Sequence, residues 1–268
     1  MAERKAVLFG APIAAIALFA ALVGFTAMIP ISFYTTGGGF TSLGMAAFAP
    51  VAGMVLGPYA GFIACYVGGI IGMFLSPGAY PLGLIDAYLS GACLGLSWGF
   101  ASCMDKRECK MIYIPWVLGQ DAIALIVPFI WPGPPYYSPM TEFMGMPGIV
   151  VHFVRRYMSW IFLAVFLIFG VTGKAVEWCR SEDKKKLILG FLFLNIYARY
   201  GWTPIWGWPY GEYIHSPWET GLLSAFGPLW PLGQWSTWSQ VLIATFLGSA
   251  IVIGLRKTGY LKVPRSLV

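Results

Sequence analysis

Residues 43–75 read LGMAAFAPVAGMVLGPYAGFIACYVGGIIGMFL. As a single helix this stretch would be about 48 Å long at ~1.5 Å rise per residue, well beyond the roughly 30 Å hydrocarbon core of a bilayer. Gly57-Pro58 sits near its middle, and a proline ends or kinks a helix at the residue before it. The stretch is therefore read as two short spans, 43 to 57 and 58 to 75.

The basic residues test that split, because Lys and Arg concentrate in cytoplasmic loops. With the split, Arg4, Lys5, Lys106, Arg107, Lys110, Lys174, Arg180, Lys184, Lys185, Lys186, Arg256, Lys257, Lys262 and Arg265 all fall on the N-terminal side. Only Arg155, Arg156 and Arg199 do not, out of 17 basic residues. With a single span, the Asp105 to Lys110 cluster and every later basic loop would invert relative to the N-terminus. The net charge of +6 thus reports topology and not a nucleic-acid partner.

Working outward, the other apolar runs lie at about 6 to 29, 82 to 103, 111 to 130, 149 to 173, 187 to 205 and 237 to 255. The fold class expected is all-α: a polytopic transmembrane helix bundle of about eight spans with both termini in the cytoplasm, a multi-pass protein of the cell membrane. Composition agrees. Only 10% of residues are charged and 58% are hydrophobic, whereas soluble domains carry about 25% charged residues. The runs are continuous and not alternating, which argues against a spanning barrel. The first run is too long for a signal-peptide h-region and is read as span one. None of the cysteines at 65, 93, 103, 109 and 179 falls in an outer loop on this topology, so no disulfide framework is expected, and their spacing fits no zinc pattern.

The stretch Ala17 to Gly99 resembles the membrane-embedded substrate-binding (S) components of energy-coupling factor transporters. The features that carry the resemblance are a first span ending in Ile29-Pro30, Gly37-Gly38-Gly39 running into Ser42-Leu43-Gly44, Leu56-Gly57-Pro58 with Gly61, and a Gly-rich third span ending in Ser76-Pro77-Gly78. On that resemblance, residues 1–175 form a six-span unit, and 176–268 add two helices with a Trp-rich outer loop. It implies capture of a vitamin-like micronutrient, a transmembrane coupling protein and cytoplasmic ATPases as partners, and a contact face of small residues on span one. Ala11, Ala15, Ala17 and Ala21 supply such residues, although the same spacing serves packing within the protein.

Ionisable groups inside a membrane are costly unless paired and are functional candidates. Asp86 lies about 6 Å below the outer end of its span, Arg155 and Arg156 about 9 to 10 Å, Arg199 about 9 Å and Asp121 about 14 Å. His152 and Arg156 share one helix face and Arg155 with Ser159 a neighbouring one. One of the two arginines is expected to pair with Asp121 and the other to recognise an anion, or to reach the outer headgroups; Arg199 is read as reaching them. Tyr80, Trp131 and Tyr136 lie at the outer ends, either as an interfacial aromatic belt or as walls for a flat ligand. The substrate-binding set is therefore Tyr80, Asp86, Asp121, Trp131, Tyr136, His152, Arg155 and Arg156.

An enzyme is not expected. There are 2 histidines, no H-E-x-x-H or G-x-S-x-G motif, and Gly170-Val171-Thr172-Gly173-Lys174 is too short for a P-loop. No metal or cofactor is expected. Besides micronutrient capture, the sequence supports two alternatives: a secondary transporter whose Asp121 binds a proton or sodium ion, or a scaffold subunit docking through Trp206 to Ser236.

Overall fold

The computed structural model describes residues 6–33, 39–130, 142–143, 146–147, 149–150, 157–208, 235–259 and 261–268. Helix dominates. The helices are α1 (Ile13–Phe25), α2 (Ala49–Leu75, led by a π-turn over Gly44–Phe48), α3 (Leu84–Ala101) and α4 (Arg107–Ile130). They continue with α5 (Tyr157–Val165, running into a π-turn over Phe166–Gly170), the short α6 (Lys174–Cys179), α7 (Lys184–Trp208) and α8 (Trp235–Thr258). Three described helices are long and apolar enough to cross a membrane: Gly44–Leu75, Leu84–Ala101 and Thr237–Thr258. Ile13–Met28 and Trp160–Gly170 are shorter apolar helices.

Gly44–Leu75 is one helix by its length along the chain but a hairpin in space. Gly57 has φ 77° and ψ 179°, a conformation open to glycine and strained for other residues. Beyond it the chain doubles back. Cys65 Sγ donates to Ala49 O at 3.6 Å, and a Cβ on Gly61 would lie 2.9 Å from Gly53 Cα. Eight residues of straight helix would hold Gly53 and Gly61 about 12 Å apart. The limbs 44–56 and 58–75 therefore run antiparallel, as the length argument requires.

Close backbone approach fixes the neighbours of this hairpin. Gly91, Gly95 and Gly99 of α3 face Cys65 O, Gly61 O and Pro58 Cα, at 2.8, 2.7 and 2.3 Å from the Cβ each would carry. α3 is thus antiparallel to the second limb. Gly68 faces Ala20 O and Gly72 faces Ala27 Cβ, so α1 runs parallel to that limb. Small residues let helices approach this closely. The remaining registers come from side chains: Tyr113 OH donates to Tyr197 O at 3.4 Å and Trp116 Nε1 to Gly201 O at 3.0 Å, making α4 parallel to α7. Asn195 meets Thr245 and Arg199 meets Thr237, making α7 antiparallel to α8.

One end of the bundle is closed by the chain termini. Strands β1 (Val7–Leu8) and β2 (Ala11–Pro12) form a hairpin through Phe9 (φ 53°) and Gly10 (φ 86°), and a Cβ on Gly10 would lie 2.9 Å from Pro264 Cδ. The first helix accordingly begins at Ile13, with Pro12 at its N-cap, and not near residue 6 as the apolar run suggests. The break at Gly57 leaves carbonyls at the end of the first limb without helical donors, since Pro58 has no N–H. Leu267 N–H supplies Met54 O at 2.9 Å, and the tail buries Leu261, Val263 and Leu267 there. Arg256 holds it through Leu267 O and also donates to Cys179 O at 2.6 Å.

A disulfide joins Cys103 to Cys109 at this same end, although the topology gave no expectation of a disulfide framework. The turn after α3 brings the start of α4 back beside it, so the two Cα atoms are 5.9 Å apart, within bridging range. Cys65, Cys93 and Cys179 are free and buried.

Candidate functional site

The other end of the bundle carries strands β3 (Pro30–Phe33) and β4 (Phe40–Ser42), paired Pro30 to Ser42 and Phe33 to Phe40. Beneath them lies a group of buried polar side chains. Gly83, at φ 62°, starts α3, and the Asp86 carboxylate turns back to accept from Leu82 N–H at 3.4 Å and from Ser90 Oγ at 2.5 Å. Asp86 is 1% exposed. It lies in a helix that changes to a π-turn over Ala87–Ala92, a distortion frequent at functional sites.

α7 meets α3 at this level, because Trp202 Nε1 donates to Leu89 O at 2.6 Å. The guanidinium carbon of Arg199 lies 4.2 Å from the centroid of the Trp202 ring, and its Nη2 donates to Thr237 Oγ1 at 3.5 Å. Arg199 is 6% exposed, which overturns its reading as a headgroup-seeking arginine: Trp202 and Thr237 hold it between α7 and α8. One turn along α8, Gln240 Nε2 donates to Met45 O at 2.9 Å. The local cause is again a proline. Ala49 N–H bonds to Gly44 O in π register, so the next donor for Met45 O in that register would be residue 50, a proline without an N–H.

Tyr80 is also buried at this end, against Gly72, whose Cβ would lie 2.6 Å from the Tyr80 ring. Tyr80 and Asp86 of the predicted set are thus brought to one end of the bundle. Asp121 stands apart, midway along α4, 7% exposed and with no hydrogen-bond or ion-pair partner among the described residues. Beside it, both amide atoms of Gln120 are buried with no partner among the described residues. Trp131, Tyr136, His152, Arg155 and Arg156 lie outside the described residues, as does most of the Trp206 to Ser236 segment. Of the small residues expected on span one, Ala11 lies in β2, ahead of the helix, and is buried; on α1 itself Ala15 and Ala21 are half-buried and Ala17 is exposed.

A second polar layer lies nearer the middle. Asn195 accepts from Trp98 Nε1 at 2.6 Å and donates to Phe191 O at 2.8 Å and Thr245 Oγ1 at 3.2 Å. Ser97 Oγ donates to Ala198 O at 2.7 Å and lies 2.8 Å from Tyr113 OH. Every one of these groups is paired, so this layer joins α3, α4, α7 and α8. Asn195, Arg199 and Trp202 fall at i, i+4 and i+7, one face of a helix, and that spacing was the signal for a buried polar face on α7. Among the described residues no group of three or more His, Cys, Asp or Glu side chains could hold a metal ion.

No family model matches the chain, and neither a curated protein nor a solved structure matches it.

Proposed function

We propose that the chain is an eight-span protein of the cell membrane, with both termini cytoplasmic, that captures a small solute at the end of the bundle holding Asp86 and Arg199. The observation that carries this is the buried Arg199, stacked on Trp202 one helix away from Asp86 and Ser90, at the end opposite the basic loops. An acid and a base buried among aromatic rings suit a small ligand with polar groups on an apolar body. The alternating directions of the helices support the eight-span count, and the distribution of Lys and Arg supports the orientation.

The Cys103–Cys109 bond lies at the end assigned to the cytoplasm, where disulfides are rare. We orient the chain by the 14 basic residues that the sequence assigns to the cytoplasmic side, since Cys103 and Cys109 are 0% and 1% exposed and exchange with cellular thiols requires access.

The resemblance of Ala17 to Gly99 to energy-coupling factor S components gives the finer form of the proposal. The solute would be a vitamin-like micronutrient, and a separate coupling protein with ATPases would drive its release. Native mass spectrometry of the purified chain tests capture: a co-purifying small molecule is expected, lost in Arg199→Ala and in Asp86→Asn. A chain that carries no solute and whose melting is unmoved by a vitamin panel would defeat it.

Asp121 and Gln120 favour a second reading, an ion-coupled transporter, because a buried carboxylate lies beside an amide whose buried atoms have no partner among the described residues. Uptake by the chain alone in proteoliposomes, driven by an ion gradient and abolished by Asp121→Asn, would establish that reading over capture.

A further inference from the structure

At the end opposite the proposed capture site, a cavity of about 560 Å³ opens between the α3–α4 turn and the α5–α7 connection. Ligand pockets run to roughly 300–1,000 Å³. Asp105, Thr172, Glu177, Trp178, Arg180 and Lys186 are among its lining residues. Two acids thus face two bases. Arg180 and Asp105 bond to each other at 2.5 Å, which leaves Glu177 and Lys186 as one acid and one base without an ion-pair partner among the described residues.

The cavity stands at a boundary. Thr172 Oγ1 donates to Ile168 O, so Ile168 lies one turn deeper on the same face, and it is exposed. Lys186 has exposed Leu189 three residues further along α7, again one turn deeper on the same face. On the Thr172 and Lys186 sides, the cavity therefore borders exposed apolar surface. Trp178, with one face in the cavity, belongs to the residue type that concentrates at membrane interfaces.

We infer that this cavity seats the headgroup of an aminophospholipid such as phosphatidylethanolamine: the phosphate on Lys186 and Arg180, the ammonium on Glu177, and the acyl chains along Ile168 and Leu189. The equal count of acids and bases selects a zwitterionic headgroup over an anionic one, since an anionic lipid would leave Glu177 facing negative charge. The inference uses the membrane placement proposed above and is independent of solute capture.

Native mass spectrometry of the full chain in detergent, supplied in turn with phosphatidylethanolamine, phosphatidylglycerol and free phosphoethanolamine, tests it. The wild type should retain phosphatidylethanolamine over phosphatidylglycerol, and Lys186→Ala should lower that retention by about fivefold, the size of one partly exposed ion pair. Glu177→Gln should reverse the preference. Both side chains are exposed, so unchanged melting of the variants would show that the fold persists. Equal or better retention of phosphatidylglycerol by the wild type, or variants that hold phosphatidylethanolamine as the wild type does, would overturn the site. Displacement by equimolar free phosphoethanolamine would overturn the lipid as its source. Lipid loss with solute binding intact, or the reverse, separates this site from the capture proposal.

Discussion

Cys65 Sγ lies 3.6 Å from the carbonyl oxygen of Ala49, sixteen residues earlier in the same run of helix. A straight helix would hold the two about 24 Å apart. The contact exists because Gly57 takes a φ of 77° with extended ψ, and the second limb then lies along the first.

Gly57→Ala should therefore destabilise the protein by about 2 kcal/mol, within the ~1–3 kcal/mol that a side chain costs in such backbone. The new Cβ would also meet Arg265 O and Pro264 O at 3.2 and 3.3 Å, loosening the tail. Gly254→Ala is the control: it sits in α8 with nothing within 4 Å and should stabilise by up to ~1 kcal/mol through helix propensity. Thermal unfolding in detergent, followed by tryptophan emission, compares the two. Equal melting temperatures would rule out the hairpin at Gly57.

Gly99→Ala tests the contact between α3 and the hairpin. Its Cβ would fall 2.3 Å from Pro58 Cα and 2.5 Å from Pro58 N. Both are backbone atoms at the tight turn and have little freedom to yield. Overpacking of this kind costs roughly 1–3 kcal/mol and at times more, so the variant should unfold early or elute as aggregate in size-exclusion chromatography. A monodisperse variant with wild-type melting would mean that α3 does not pack there.

Gly57-Pro58 was legible in the sequence because a length could be compared with a bilayer. What escaped was set by contacts between distant parts of the chain. Residues 6 to 12 are apolar and read as helix; their hairpin depends on positive φ at Phe9 and Gly10 and on Pro264 across the bundle. The tail gives no pattern of its own, and its seat is made by the carbonyl of Met54 left over at the break. Depth alone suggested that Arg199 reaches for headgroups. Its direction follows from sharing a helix face with Asn195 and Trp202, a periodicity that was present but outweighed by the surrounding apolar residues. Asp86 stood out as an ionisable group inside an apolar run and Tyr80 as an aromatic at its outer end, and both are buried in the structure.

The Trp98–Asn195 bond, 2.6 Å long and fully buried, should show coupling. Asn195→Leu leaves the indole N–H without its acceptor, a penalty of about 1–3 kcal/mol for a buried polar group. Trp98→Phe removes the donor as well, so a double variant should lose less than the sum of the two single changes, by about 1 kcal/mol. Denaturant unfolding of the four proteins measures this. Losses that add to within ~0.3 kcal/mol would show that the pair is not energetically joined.

Cys179 gives the protein a pH dependence on its basic side. Burial pushes the thiol well above its ordinary range, offset only in part by Arg256 and Arg180 nearby. In the unfolded chain a cysteine titrates near ~8.5. Below that pH both states keep the proton and Cys179 contributes no slope. Above it the unfolded chain releases the proton while the folded chain retains it, so stability falls as pH rises, by up to ~1.4 kcal/mol per pH unit for this thiol. Cys179→Ala removes this contribution while leaving those of other groups in place. Between pH 8 and 10 the wild type should therefore lose stability more steeply than the variant, with the two curves parallel below pH 8. Parallel curves throughout would place Cys179 in contact with water in the folded protein and contradict its burial beside Arg256.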